Sequence, residues 1–481
     1  MNKNLSTILL GLLAYAVNLA AAERPNILVI LCDDLGYADV GFNGAKDITT
    51  PHLDTLAKNG TIFTSAYVCH PFCGPSRMGF VSGRYPHNYG GQYNLPNGGK
   101  GMAQYNKEGI PVSETLISTV LQDAGYHTGL LGKWHMGLEP QFHPNARGFD
   151  DFYGFLGGGH MYFPEKYVPI YERQSKSGKG EINEYVVPLQ RNGTEVKETE
   201  YLTDALSREA SRFVTESAAT KKPFFLYLAY NAPHTPLEAK AEDLAKFASI
   251  QDPKRRTYAA MVYAVDRGVG QIVKTLKSTG TLDNTLIVFF SDNGGQLGDG
   301  ANNAPLKGGK GDCFEGGYRV PMFFHWPKVV PAGQKFEHPV SSLDFYPTFT
   351  QLAGASIPSG KQLDGKDIWA DFLAQRSPHQ GQMIYALRHR DGFNNVGARQ
   401  DQWKLSLSGR NGQWALFDLN ADIAEEHDVS GQHAQRVKDM VSKTEQWSRT
   451  CVEPKWFDSQ QAAEKWKETG MPHYDETFRL K

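Results

Sequence analysis

The chain has 481 residues with 50 lysines and arginines against 52 aspartates and glutamates, a formal net charge of −2. That balance excludes a polyanion binder that works by long-range field, nucleic-acid binders among them, so an anionic ligand must be recognised by local groups. Five cysteines (Cys32, Cys69, Cys73, Cys313, Cys451) exclude a disulfide scaffold, and the length exceeds one typical domain, so one large domain with a smaller companion is expected.

Residues 1–22 read as a signal peptide. Lys3 gives the positive start, Ile8 to Leu19 an apolar run, and Ala20-Ala21-Ala22 a small-residue cleavage site near Ala22. The apolar run is shorter than the ~20 residues of a membrane span, and no second run of that length follows. The expectation is a secreted or periplasmic protein without a membrane anchor.

Short apolar, β-branched runs follow at Asn26–Leu31, Thr128–Leu131, Pro223–Ala229, Thr285–Phe290 and Val320–Phe324. Runs of this kind read as buried strands of a parallel sheet. Helical patterns lie between them. The clearest is Tyr258 to Leu276, where Met261, Val265, Val269, Ile272 and Leu276 recur at three- and four-residue spacing and Gly280 closes the end. This alternation predicts an α/β fold with a large, mostly parallel or mixed central sheet flanked by helices. After about residue 375 the texture changes. Met383–Leu387, Gly397–Arg399, Trp403–Leu407 and Trp414–Phe417 read as short antiparallel strands, and Gln432 to Trp447 as a helix. The expected organisation is a catalytic domain over 23–375 and a C-terminal subdomain of antiparallel sheet plus helix over 376–481.

Four of these strands run straight into polar groups: Cys32-Asp33-Asp34, Gly132-Lys133-Trp134-His135, Asn231-Ala232-Pro233-His234 and Ser291-Asp292-Asn293. Open α/β sheets bind ligands beyond the carboxyl ends of their strands, so these stretches are expected to share one site. Asp33, Asp34, Asp292 and Asn293 form an oxygen-only donor set, which selects Ca²⁺, or Mg²⁺, rather than Zn²⁺. Adjacent residues in a strand point to opposite faces, so Asp33 and Asp34 can reach one ion only if the chain is already turning. Arg77, Lys133 and Lys310 supply positive charge.

Cys73-Gly74-Pro75-Ser76-Arg77, with Gly83-Arg84 behind it, resembles the signature of the type I, formylglycine-dependent sulfatases, arylsulfatase-like members of the alkaline phosphatase superfamily. The resemblance extends over nearly the whole mature chain. It includes Pro25-Asn26-Ile27 with Asp33-Asp34-Leu35-Gly36, Gly132 to Gly137, Ala232-Pro233-His234, Ser291 to Gly295, Gly309-Lys310-Gly311, Glu315 to Pro321, and Asp344 ahead of Pro347-Thr348. Cys69 opens a second stretch, Cys69-His70-Pro71-Phe72-Cys73, but it ends in cysteine where the pattern needs arginine, which leaves Cys73 as the nucleophile. The resemblance implies a hydrolase of sulfate monoesters (a sulfuric ester hydrolase) in which Cys73 is oxidised to formylglycine by a maturation enzyme. It implies that Asp33, Asp34, Asp292 and Asn293 hold the cation together with modified Cys73, and that Arg77 and Lys133 hold the nucleophile. Lys133, Lys310 and His234 would grip sulfate, His135 would be the base that collapses the sulfated intermediate, and His234 with Lys310 would protonate the leaving alcohol.

For substrate, the expectation is an O-sulfate on a carbohydrate, in sulfated polysaccharide or glycosaminoglycan fragments. The stretches Pro86–Ile110 and Gly148–Tyr167 read as long loops rich in Gly, Asn and aromatics, suited to sugar contacts. Candidate contacts are His160, where the family often has a polar residue near Gly157-Gly158-Gly159-His160, and Arg388 of the basic Arg388-His389-Arg390, with Trp134, Tyr153 and Tyr162. The rival readings are a phosphodiesterase or phosphonate monoester hydrolase of the same superfamily, and a non-catalytic carbohydrate-binding protein on this fold.

Overall fold

The structure, a computed structural model, describes residues 24–96, 105, 107–178, 182–390, 393–408 and 412–468; the expected signal peptide lies outside them. No helix among the described residues is long and apolar enough to cross a membrane.

The strands are β1 (Asn26–Cys32), β2 (Thr61–Phe63), β3 (Ala66–Tyr67), β4 (His127–Lys133), β5 (Asp151–Phe155), β6 (Gln190–Arg191), β7 (Thr194–Glu195), β8 (Phe224–Ala229), β9 (Thr285–Ser291), β10 (Met322–His325), β11 (Gln334–Phe336) and β12 (Val340–Ser341). Ten of them form one sheet in the order β11-β2-β10-β9-β1-β8-β4-β5-β6-β7. The central strands β9, β1, β8, β4 and β5 are parallel. Alternation along β1 feeds two cores. Ile27, Val29 and Leu31 pack with Met78, Phe80 and Phe345, whereas Leu28 and Ile30 pack with Val265, Val269 and Ile272 of the helix Pro253–Ser278. Burial on both faces is why these strands read as unbroken apolar runs.

Two expectations are corrected. The run Val320–Phe324 yields β10, which lies antiparallel to β9; apolar composition marks a buried strand but carries no direction. The stretch Gly148–Tyr167, read as loop, contains β5, parallel to β4, and the start of the helix Pro164–Ser177. Its glycine disguised it. A Cβ on Gly154 would lie 2.0 Å from the Gly132 carbonyl oxygen, so only glycine permits that strand approach.

The C-terminal strands β13 (Met383–Arg390), β14 (Phe393–Gln400), β15 (Trp403–Leu407) and β16 (Ala415–Asp418) form an antiparallel meander. Tyr385, Ala398, Leu405 and Leu416 pack under Val437, Met440 and Val441 of the helix Ala434–Ser448. Buried Glu315, on the short helix Glu315–Tyr318, ties this sheet to β3, which pairs with β12 beside the large sheet. It accepts from Tyr67 Oη at 2.6 Å, Arg319 Nη1 at 3.1 Å and Lys404 Nζ at 3.0 Å, and Lys404 Nζ lies 3.6 Å from Glu425.

Candidate active site

Because β1, β4, β8 and β9 are parallel and adjacent, their carboxyl ends open on one edge, and the chain turns immediately there. Asp34 has a left-handed backbone (φ 64°), as does His135 (φ 59°). The turn at Asp34 lets both aspartates of the pair face the site, as the adjacency of Asp33 and Asp34 requires.

Asp33, Asp34 and Asp292 meet Arg77, Lys133 and Lys310. Lys133 Nζ lies 2.5 Å from Asp33, and Lys310 Nζ lies 2.7 Å from Asp34. Arg77 donates to Asp292 Oδ2 from Nε at 2.8 Å and to the Lys133 carbonyl from Nη1 at 3.2 Å, and its Nη2 lies 2.8 Å from the same Asp292 oxygen as an ion pair. All six are buried, or nearly so, and the formal charges cancel. Burial opposes ionisation of Asp33, but Lys133, His234, Arg77 and Lys310 outweigh it and hold the carboxyl well below the usual range. Burial and the Asp33 carboxylate push Asp292 up against the pull of Arg77.

Cys73 opens the helix Cys73–Ser82, whose first turn is held by Asn94 Oδ1 accepting from the Gly74 amide at 2.9 Å. Its Sγ lies 4.0 Å from Asp34 Oδ1. Burial pushes the thiol up despite Lys133 and Lys310, so an unmodified cysteine here is a poor thiolate nucleophile. Asp33, Asp34, Cys73 and His234 each offer one ligand atom, all within 4.8 Å of one another. Asp33 Oδ1 and Asn293 Oδ1 are buried without a hydrogen-bond partner. Two orphaned oxygens beside two further carboxylates fit a hard divalent cation, which would also leave the site net positive for an anionic ligand. Asp292 and Asp34 have both oxygens engaged: Asp292 Oδ2 takes Arg77 and Oδ1 accepts the Asp34 amide at 3.2 Å, while Asp34 accepts from Asn293 Nδ2 and from Lys310 Nζ, each at 2.7 Å.

The two histidines differ. His234 Nδ1 faces the Thr235 carbonyl at 2.8 Å, which leaves Nε2, 3.7 Å from Asp34, to carry or release a proton. Tyr162 Oη steadies that loop by donating to the Asn231 and His234 carbonyls, each at 2.8 Å. His135 is buried with both ring nitrogens unpartnered, and burial with Lys133 and Arg77 keeps it neutral.

The family model described as Sulfatase matches residues 25–355, and one described as N-sulphoglucosamine sulphohydrolase, C-terminal, matches residues 310–449. The chain is a sulfatase. The N-acetylgalactosamine-6-sulfatase of Mus musculus is 34% identical over 433 residues, 88% of this chain and 78% of the mouse protein. Among solved structures, Ps i-CgsB in complex with k-i-k-neocarrahexaose has 55% identity and a TM-score of 0.92, covering 95% of this chain and 100% of that one. The PsFucS1 sulfatase from Pseudoalteromonas sp. has 26% identity and a TM-score of 0.73, covering 91% of this chain and 92% of that one. Members of this family hydrolyse sulfate esters, and this chain is a sulfuric ester hydrolase.

Several expected sugar contacts are corrected. His160 is fully buried, with Nδ1 2.6 Å from the Met161 carbonyl and Nε2 2.8 Å from that of Val187, so it braces backbone and offers nothing to a sugar. Trp134, Tyr153 and Tyr162 are also core residues of this sulfatase. Arg388 is half-buried at the site's wall, stacked 4.2 Å from the Phe72 ring centroid and donating to the Gly311 carbonyl at 2.9 Å. The Arg390 side chain, like residues 97–104 and 106 of the Pro86–Ile110 stretch, lies outside the described residues. The sequence reading missed Glu184. It sits on the 3₁₀ turn Glu184–Val186, beyond β5, and reaches the His135 side of the site. Its one sequence signal is the Gly157-Gly158-Gly159 run, where the family often has a polar residue.

Proposed function

We propose that this sulfatase removes an O-sulfate from a galactan oligosaccharide of the carrageenan type, outside the cytoplasm, after Cys73 has been matured to formylglycine by a separate enzyme. The observation that carries the chemistry is the buried, charge-balanced ring of Asp33, Asp34, Asp292, Arg77, Lys133 and Lys310 around Cys73. Support for the sugar comes from the 55% identity with Ps i-CgsB, which was solved with a neocarrahexaose. The N-terminal pattern of residues 1–22 supports export.

In this reading Asp33, Asp34, Asp292 and Asn293, with the group at position 73, would hold Ca²⁺. The cation would offset charge that builds on the sulfate oxygens during displacement. The aldehyde hydrate at position 73 would supply one hydroxyl as nucleophile and a second through which sulfate is released. Arg77 and Lys133 fix that group from the sheet side, and their pairing with Asp292 and Asp33 keeps both cations oriented before substrate arrives. His135, neutral and with free nitrogens, accepts a proton from the group at position 73. His234 delivers a proton from Nε2 to the departing sugar oxygen, and Lys310 stabilises that oxygen from the other side.

The test is sulfate release from defined sulfated galactan oligosaccharides, glycosaminoglycan fragments and 4-nitrophenyl sulfate. It is paired with mass spectrometry of the tryptic peptide containing position 73. Preferred turnover of the galactan and an aldehyde at position 73 are expected. Turnover confined to the aryl sulfate would overturn the substrate, and a fully active sample with an unmodified Cys73 thiol would overturn the nucleophile.

A further inference from the structure

Gly157, Gly158 and Gly159 form a bare ribbon between His135 and the turn Glu184–Val186. A Cβ on Gly157 would lie 2.7 Å from Glu184 Oε2. One on Gly158 would lie 2.8 Å from His135 Nε2 and 3.3 Å from Glu184 Oε1, and one on Gly159 would lie 2.5 Å from the Tyr185 ring. The missing side chains are therefore what lets Glu184 approach His135. The turn is fixed in place: Asn183 Oδ1 accepts from the Tyr185 amide at 2.9 Å, and the Met161 amide donates to the Tyr185 carbonyl at 3.0 Å. Glu184 Oε2 accepts from the Gly158 amide at 3.1 Å.

Its other oxygen, Oε1, is buried with no hydrogen-bond partner. An unsatisfied buried acceptor costs about 1–3 kcal/mol, more for a charged one, so a donor from outside the chain would be well rewarded there. Burial, against the Gly158 amide and Lys133, pushes this carboxyl up to about 7, as befits a group short of donors. The location narrows the donor. Oε1 faces the side where His135 lies, and the neighbouring Tyr185 ring is 6.4 Å from the ring of His234, the residue assigned to the leaving oxygen. A carboxylate repels sulfate, so its partner belongs to the rest of the substrate, and a sugar offers hydroxyl donors.

We propose that Glu184 is a specificity-determining residue whose Oε1 accepts a hydrogen bond from a hydroxyl of the sugar ring that carries the sulfate. This rests on the sulfated-saccharide reading above. It makes the triglycine run part of substrate selection, because any side chain at Gly158 would push His135 and Glu184 apart.

The test compares Glu184→Gln and Glu184→Ala with the parent enzyme on the preferred sulfated oligosaccharide and on 4-nitrophenyl sulfate. In the Gln variant the amide carbonyl can keep the Gly158 contact, which turns a donor toward the sugar where an acceptor stood. For both variants kcat/KM on the saccharide should fall at least about tenfold further than on the aryl sulfate, as expected when a buried hydrogen bond is lost. Unfolding midpoints report whether either variant is misfolded. Equal losses on both substrates, or no loss on the saccharide, would overturn the assignment while leaving the saccharide reading intact. A parent enzyme that turns over no saccharide at all would overturn both.

Discussion

Arg77 offers a direct measure of how strongly the site is held by its internal charges. Its guanidinium is fully buried, makes two 2.8 Å contacts to Asp292 and one to the Lys133 carbonyl, and lies 3.7 Å from Asp33. Arg77→Met fills similar space but strands a carboxylate at Asp292 and removes a donor from the Lys133 carbonyl. Breaking a buried pair from one side costs about 3–5 kcal/mol. With an unfolding entropy of about 2 cal/mol/K per residue, a chain of this size loses about 1 °C of midpoint per kcal/mol, so a drop of about 3–5 °C is expected. The measurement belongs in chelator, so that cation binding does not contribute. The double variant Arg77→Met with Asp292→Asn removes the charge as well as its partner and should recover at least half of the loss, because an apolar-neutral pair costs far less than a lone buried ion. A single variant as stable as the parent, or a double variant whose losses simply add, would show that the pair does not hold the site together.

Two other perturbations probe the same region. Gly158→Ala should lower kcat by about tenfold or more with little change in unfolding midpoint, since its methyl would sit 2.8 Å from His135 Nε2; parental activity in this variant would mean that the ribbon does not set the position of His135. Exhaustive chelation should abolish turnover and added Ca²⁺ should restore it, given the orphaned Asp33 and Asn293 oxygens; full activity in a sample shown by metal analysis to be empty would rule out the cation.

The sheet-edge residues were legible because each stands at the end of an unbroken apolar strand, and a polar stop after such a run has few places to be other than the carboxyl edge. Parallel pairing of β1 with β8 and β9 then carries Asp33, Asp34, His234, Asp292 and Asn293 to one edge. What was not legible is what the pattern cannot encode. Direction is absent from an apolar run, so nothing in Val320–Phe324 marks β10 as antiparallel to β9. Exposure is absent from an aromatic or a histidine, so His160, Trp134 and Tyr162 read as sugar contacts although all three are buried. Glycine reads as loop, although at Gly154 it permits close strand packing and at Gly158 it makes room for a side chain 26 residues away. Glu184 carried no motif of its own; only the space left for it was visible.

The C-terminal sheet bears on the same site. Arg388, from β13, stacks on Phe72, the residue before Cys73, and donates to Gly311, the residue after Lys310. One side chain thus braces both the nucleophile turn and the lysine loop. A Cβ on Gly311 would lie 2.0 Å from Arg388 Nη1, and its φ of 88° favours glycine independently. The sheet that carries Arg388 is in turn pinned by Lys404 to Glu315, five residues beyond Lys310 on the same loop. Removing Lys404 would leave Glu315 and Glu425 facing each other in the core, while Tyr67, Arg319 and Arg399 could compensate only Glu315. This accounts for a stretch with no chemistry of its own, Glu315 to Arg319, accompanying the catalytic motifs: it is the anchor through which a second sheet sets the shape of the first sheet's active edge.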